Sequence, residues 1–344
     1  MRNLNKRKYE LSILNVIFCL LVIFIHTMSH LISTVDINTD IYNIAFLPWR
    51  LSSFVVQGFV MLSGIKLFLR KNDDFNYLQF LKSRLKHIII PYILWFIIYY
   101  VFFMVTLSYP LDLKNIALNF FTGSLVYHLY FVVIIVQFYL LMPLWRFVVY
   151  RFSWKIIIPC SILITMLLEH VNFFFPAINY IYYDRTFTTY LMYWIIGCYI
   201  GKEYDSFKEF TKQNFKVITT VFCFSLLANA SLSLLGFKGL QYMPKLGVVH
   251  AVYSVCVVIF LFSLAVKLLS KNNMNCSIIS KIDSSSYQIY LSHCLVIYII
   301  DALLSLIGIT NVYILFILRF IFTYLITIYL NIALKNATKK QWRN

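Results

Sequence analysis

A histidine at position 26 lies near the far end of an apolar run from Glu10 to Leu31, reading ELSILNVIFCLLVIFIHTMSHL. Such a run is long enough to cross a bilayer, which takes about 20 helical residues. An imidazole at membrane depth is disfavoured unless something there uses it. Its ordinary pKa of about 6.5 suits it to take a proton from a hydroxyl, and its nitrogen can also carry a transferred group. Asn15 stands eleven residues earlier, a rotation of about 1100° at 100° per residue. Asn15 and His26 therefore project from nearly one face of a helix, about 16 Å apart along its axis. Glu10 opens the run, and His30 lies one turn beyond His26 on the same side. This polar stripe must turn towards a bundle interior or a water-filled cleft. Two readings stay open for His26: a ring satisfied by a neighbouring helix carbonyl, or a ring that does chemistry. The i, i+4 spacing of His26 and His30 also suits two metal ligands. No third ligand stands at motif spacing and there is no CxxC, so no metal is expected.

A second group of functional side chains is Lys82-Ser83-Arg84-Leu85-Lys86-His87, which runs into Ile88-Ile89-Ile90-Pro91-Tyr92. A basic cluster just cytoplasmic of a span anchors it and attracts anionic lipid. Arg84 and His87 at i, i+3 also share a helical face and can clamp one anionic group. Ser63-Gly64 reads first as a close-packing signal between helices. Tyr127-His128-Leu129-Tyr130 opens another apolar run, and Tyr290-Leu291-Ser292-His293 sets a further imidazole inside a later one. Arg319, charged within the last run, is expected to pair with a polar group elsewhere in the bundle.

The elements that must position these groups are helices. The chain is 61% hydrophobic and 12% charged, with a mean hydropathy of +0.78. Its nine Gly and seven Pro leave few breaks. The fold class expected is an all-α polytopic membrane bundle. A β-barrel would show short alternating segments, and none occurs. Apolar runs place about ten spans near 10–31, 49–69, 87–108, 126–146, 155–171, 186–201, 217–236, 247–267, 285–304 and 311–334. An even number puts both termini in the cytoplasm. On that topology Arg50, Lys114, Arg185, Lys238 and Lys245 lie outside and Arg319 lies within a span, while every other Lys and Arg faces the cytoplasm. The net charge of +17 is thus explained by the positive-inside rule, and nucleic acid is not an expected partner. The Lys6-Arg7-Lys8 start resembles a signal peptide, but no small-residue cleavage site follows, so the run is expected to remain as the first span. The seven Cys are scattered singly and none falls in an outer loop, so no disulfide framework is implied. The outer loops are short. That from Glu169 to Arg185 is richest in aromatic residues and is open either to interfacial anchoring or to sugar binding. With no repeat and no sizeable extramembrane segment, residues 1–344 read as one membrane domain.

Taken in order, these motifs resemble the acyltransferase 3 family of membrane O-acyltransferases, in particular its polysaccharide-modifying branch, and the chain is similar to the intercellular adhesion polysaccharide membrane protein. The family's first helix carries an acid, an arginine five residues on and a histidine sixteen residues after the acid; here these are Glu10, Asn15 and His26. Its Arg-x-x-Arg before Ile-Pro-Tyr is matched by Arg84 and His87 before Pro91-Tyr92. Its Ser-Gly is Ser63-Gly64, its His-Leu-Trp-Phe is His128-Leu129-Tyr130-Phe131, its sixth-helix glycine is Gly197 after Ile196, and its Tyr-Leu-x-His is Tyr290 to His293. Asn15 and His87 each replace an arginine.

The resemblance implies transfer of an acyl group, expected to be acetyl, from cytosolic acyl-coenzyme A to a hydroxyl of a cell-surface polysaccharide or its lipid-linked precursor. Acyl-coenzyme A is then a co-substrate, and no bound cofactor is implied. His26 would act as general base or acyl carrier. Arg84, His87, Lys82, Lys86 and Asn15 would hold the donor, and Glu10, Ser63, Tyr130 and His293 would orient the reactants. Membrane lipid, the glycan acceptor and polysaccharide synthase machinery are the partners this suggests, at the plasma membrane. The abundance of Ile, Asn, Lys, Tyr and Phe points to a low-GC bacterium. The alternative is a polysaccharide exporter or flippase, for which internal repeats and Gly/Pro-broken helices would be expected and are not seen.

Overall fold

The computed structural model describes residues 7–69, 75–169, 171, 182–237, 244–271 and 276–341. Lys6, Arg70, Lys238 and, with Pro176, most of the loop before Tyr182 lie outside the described residues. Among the described residues every regular element is helical. The chain divides into two compact units, one of Met1–Leu62 with Asp205–Asn344, the other of Ser63–Tyr204.

The first unit contains α1 (Tyr9–Thr34) and α2 (Asp40–Ser52). It also holds the start of α3 (Val55–Phe68), which the division cuts. The second unit contains α4 (Tyr77–Arg84), α5 (Ile90–Leu107), α6 (Leu113–Thr122), α7 (Tyr130–Leu140), α8 (Met142–Arg151), α9 (Trp154–Glu169) and α10 (Leu191–Lys202). The first unit resumes with α11 (Tyr204–Gln213), α12 (Phe215–Phe237), α13 (Pro244–Lys271), α14 (Ser277–Leu306) and α15 (Val312–Gln341).

Local chemistry sets the boundaries. Thr39, Asn76 and Asp112 each accept a hydrogen bond from a backbone N–H of the helix they precede, satisfying one of the donors a helix start leaves open. Asp36 and Asp112 thus lie in turns, whereas Asp40 begins α2. Between α4 and α5 the chain makes one π-turn, Leu85–Ile89, and the helix continues with Pro91 in its first α-helical turn, where a missing N–H does no harm.

Seven helices among the described residues are long and apolar enough to span a membrane: Tyr9–Thr34, Asp40–Phe68, Tyr77–Leu107, Phe215–Gly236, Leu246–Lys271, Ser277–Leu306 and Val312–Ala337. This is fewer than the ten expected, and the shortfall lies in the second unit. The run at 126–146 is bent by 60° between α7 and α8. Pro143 stands just past that break, where its ring and missing N–H oppose a continuous helix. If the bent pair is one span, the number is eight. The run at 155–171 gives an apolar helix of sub-span length, Trp154–Leu168. The run at 186–201 starts as 3₁₀ turns at Tyr183–Arg185 and Phe187–Tyr190 before α10 forms.

In the first unit α1 packs against the last two helices, α14 and α15. Its contacts with α14 advance together, Asn15 with Asp283 and Ser286, then His26 with His293, so the two helices run in the same direction. α15 runs the opposite way: Phe24 meets Phe320, and the Tyr324 hydroxyl donates to the Leu20 carbonyl at 2.6 Å. Apolar contacts of Cys19, Ile23 and Ile289 fill the space between the polar levels.

Candidate functional site

The polar stripe of α1 faces α14, and polar groups gather along it at three levels. At the level nearest the N-terminus, Asn15 Nδ2 donates to Asp283 Oδ1 at 2.6 Å and to Ser286 Oγ at 2.8 Å. Ser12 Oγ donates to the other carboxylate oxygen of Asp283 at 2.7 Å, and Arg7 forms an ion pair with that oxygen. Both amide protons of Asn15 are thereby engaged inside the protein. Glu10, itself buried, pairs with Lys208 of α11 at 2.6 Å. Charge and hydrogen bonding within this level are balanced, as burial requires.

The middle level holds His26. Its ring lies 5.1 Å, centroid to centroid, from that of His293, with the planes 30° apart. His293 is fully buried, and its Nδ1 meets the Tyr290 carbonyl at 2.6 Å. A carbonyl only accepts, so Nδ1 carries the proton, and in the neutral ring Nε2 is the acceptor. Cys294 Sγ approaches that Nε2 at 3.3 Å, with the thiol as donor. His26 is half-buried. One candidate ligand atom from each of His26, His293 and Cys294 lies within 4.8 Å of the other two.

At the level towards the end of α1 stands His30, half-buried. The Arg319 Nε donates to Asp301 Oδ1 at 2.5 Å, which supplies the polar partner expected for this arginine. Arg319 is 1% exposed, and its Nη1 has no hydrogen-bond partner among the described residues.

The basic cluster belongs to the second unit. Lys82, Lys86 and His87 are exposed and Arg84 is half-buried. The Arg84 guanidinium lies over the rings of Phe80 and Tyr139, at 5.1 and 5.4 Å. His87 turns back on its own helix and donates from Nδ1 to the Ser83 carbonyl at 2.8 Å. The π-turn beginning at Leu85 changes the angular step between these residues, and Arg84 and His87 take different partners. Tyr130 is half-buried at the start of α7, and the Tyr190 hydroxyl donates to the Asp184 carbonyl at 3.1 Å. Ser63 is half-buried beside Gly64. At Gly64 an added Cβ would come within 2.7 Å of the Trp194 carbonyl oxygen, so the glycine there serves close backbone packing.

Of the residues expected from sequence, the structure brings His26 and His293 together and places Glu10 and Asn15 on the same helix towards its start. Arg84, Lys82, Lys86 and His87 form a separate feature in the second unit, as do Ser63 and Tyr130. Sequence reasoning passed over Ser12, Asp283, Ser286, Cys294, Asp301 and Lys208. A signal existed for some of them: Asp283 and Ser286 are i, i+3 on one helix, and Asp301 is a lone carboxylate in an apolar run.

Comparison with known proteins follows this geometry. A family model described as an acyltransferase domain matches residues 8–335. No curated protein and no solved structure matches the chain.

Proposed function

The chain belongs to the acyltransferase 3 family, and from that premise we propose that it moves an acyl group from acyl-coenzyme A to a hydroxyl of a surface polysaccharide or its lipid-linked precursor. The observation that carries this reading is His26, half-buried on α1 beside the His293 ring. A hydroxyl is a poor nucleophile at neutral pH and gains from a base within hydrogen-bond reach. His26 takes the hydroxyl proton as the oxygen attacks the thioester carbonyl. The tetrahedral intermediate collapses with loss of the coenzyme A thiolate, which recovers the proton from the imidazolium. The products are the glycan ester and the free thiol. His293 is a positioning residue, its tautomer set by the Tyr290 carbonyl.

The donor is a polyanion. Lys82, Arg84, Lys86 and His87 are the groups we assign to its phosphates, Arg84 foremost because the rings of Phe80 and Tyr139 hold its guanidinium. Asn15, whose amide protons are engaged by Asp283 and Ser286, can offer the donor only its carbonyl oxygen.

The test is ester analysis of surface glycan by mass spectrometry and NMR in a deletion strain. The wild-type gene restores the ester, whereas His26→Ala, present in the membrane at wild-type level, lowers it about 100-fold or more. Full esterification with His26→Ala would overturn the role of His26. Polymer retained inside the deletion strain would favour an exporter over a transferase.

A further inference from the structure

We propose that His26, His293 and Cys294 form a binding site for a zinc ion. The proposal stands on geometry and donor chemistry and does not depend on the acyl-transfer reading.

Three features support it. First, the three ligand atoms already lie within 4.8 Å of one another, with Cys294 Sγ and His293 Nε2 at 3.3 Å. In a tetrahedral zinc site with Zn–N of about 2.0–2.1 Å and Zn–S of about 2.3 Å, ligand atoms stand about 3.3–3.6 Å apart. The Cys294–His293 separation is already in that range, and the His26 ligand atom, within 4.8 Å of both, closes the remaining distance by rotation of its side chain. Second, His293 donates its other ring proton to the Tyr290 carbonyl at 2.6 Å. This is the outer hydrogen bond that metal-binding histidines characteristically make, and it presents Nε2 as the ligating nitrogen. Third, a thiolate with two neutral imidazoles is a soft donor set that selects zinc over magnesium or calcium.

Binding replaces the thiol–imidazole contact by two metal bonds. Cys294 loses its proton to solvent, the zinc gains one thiolate and two imidazole ligands, and water completes the tetrahedron. One proton is released from Cys294 per ion bound. Because His26 would give its lone pair to zinc, the ion and a hydroxyl proton compete for the same nitrogen.

The experiment uses the purified full-length protein in detergent or nanodiscs, first freed of metal with a chelator. Titration with Co²⁺ as a spectroscopic substitute should give a thiolate-to-metal charge-transfer band that saturates at one equivalent, and Zn²⁺ should displace it. Cys294→Ser should abolish the band and weaken zinc retention about 100-fold or more. His26→Gln should weaken retention while keeping the thiolate band, and Cys19→Ser, a buried cysteine outside the cluster, should leave the titration unchanged. Thermal unfolding of each metal-free variant checks that it is folded. A wild-type protein with no thiolate band, or a band of equal intensity in Cys294→Ser, would overturn the site.

Discussion

The two units bury different chemistry. In the first, the long helices carry polar and charged groups into their contacts. Glu10, Asn15, His293 and Arg319 are all buried, and each has a partner on another helix or, for His293, on its own. In the second, the interior is aromatic. Phe138 stacks on Trp194 at 4.4 Å, Trp145 donates from its indole to the Phe138 carbonyl at 3.0 Å, and Phe187 packs on both Phe138 and Trp145. Its charges include the largely exposed cluster from Lys82 to His87 and the half-buried Arg185, which donates to the Thr122 carbonyl at 2.9 Å. Helix association in lipid lacks a hydrophobic driving force and relies on close packing and interhelical hydrogen bonds. The first unit leans more on ion pairs between helices, the second more on aromatic packing. A polar contact demands an opposite number at one depth, which favours unbroken helices. Ring packing tolerates a bend, and the 60° break between α7 and α8 falls in the aromatic unit.

Substitutions can break this contrast. The largest effect is expected from Asp301→Ala, which strands the buried Arg319 and should destabilise the protein by about 3–5 kcal/mol, read by thermal or denaturant unfolding in detergent. Replacing both partners, Asp301→Leu with Arg319→Met, should return stability to within about 1 kcal/mol of wild type. If the double variant is as unstable as the single one, stability in the first unit is not governed by charge pairing. A smaller effect, about 1–3 kcal/mol, is expected from Gly64→Ala in the second unit. The new methyl there meets the backbone of Trp194, Gly197 and Cys198, which cannot give way. Gly58→Ala in the first unit meets only the Phe18 ring, which can turn, and should cost less; the reverse order would undo the contrast. The smallest effect on stability belongs to Arg84→Ala, within about 0.5 kcal/mol. Its effect should appear instead as a raised KM for the acyl donor with little change in kcat.

The long terminal helices were legible from sequence because apolar length alone defines them. The run at 10–31 became Tyr9–Thr34 and that at 311–334 became Val312–Gln341. The middle of the chain was less so, since hydropathy reports apolarity and says nothing of a bend or of a start in 3₁₀ turns. His26, Asn15 and Arg319 stood out because a polar group in an apolar run is conspicuous. Their partners did not. Asp283 lies 268 residues from Asn15, and one-dimensional spacing cannot show which face of its helix turns towards α1; Asp301 is only 18 residues from Arg319, and its lone carboxylate was the signal passed over. The thiol of Cys294 was read as one of several scattered cysteines, and only its approach to His293 distinguishes it.

The same-direction pairing of α1 with α14 also bears on the order in which the protein is made. Asn15 and its carboxylate partner are separated by 268 residues. At about 5–20 residues per second, α1 enters the membrane between about a quarter of a minute and a minute before Asp283 is synthesised. Throughout that interval the stripe has to be sheltered by the insertion machinery, by water at the interface or by a temporary neighbour. α1 is therefore in the membrane well before its final surroundings exist, and assembly of the first unit waits until α14 has been translated.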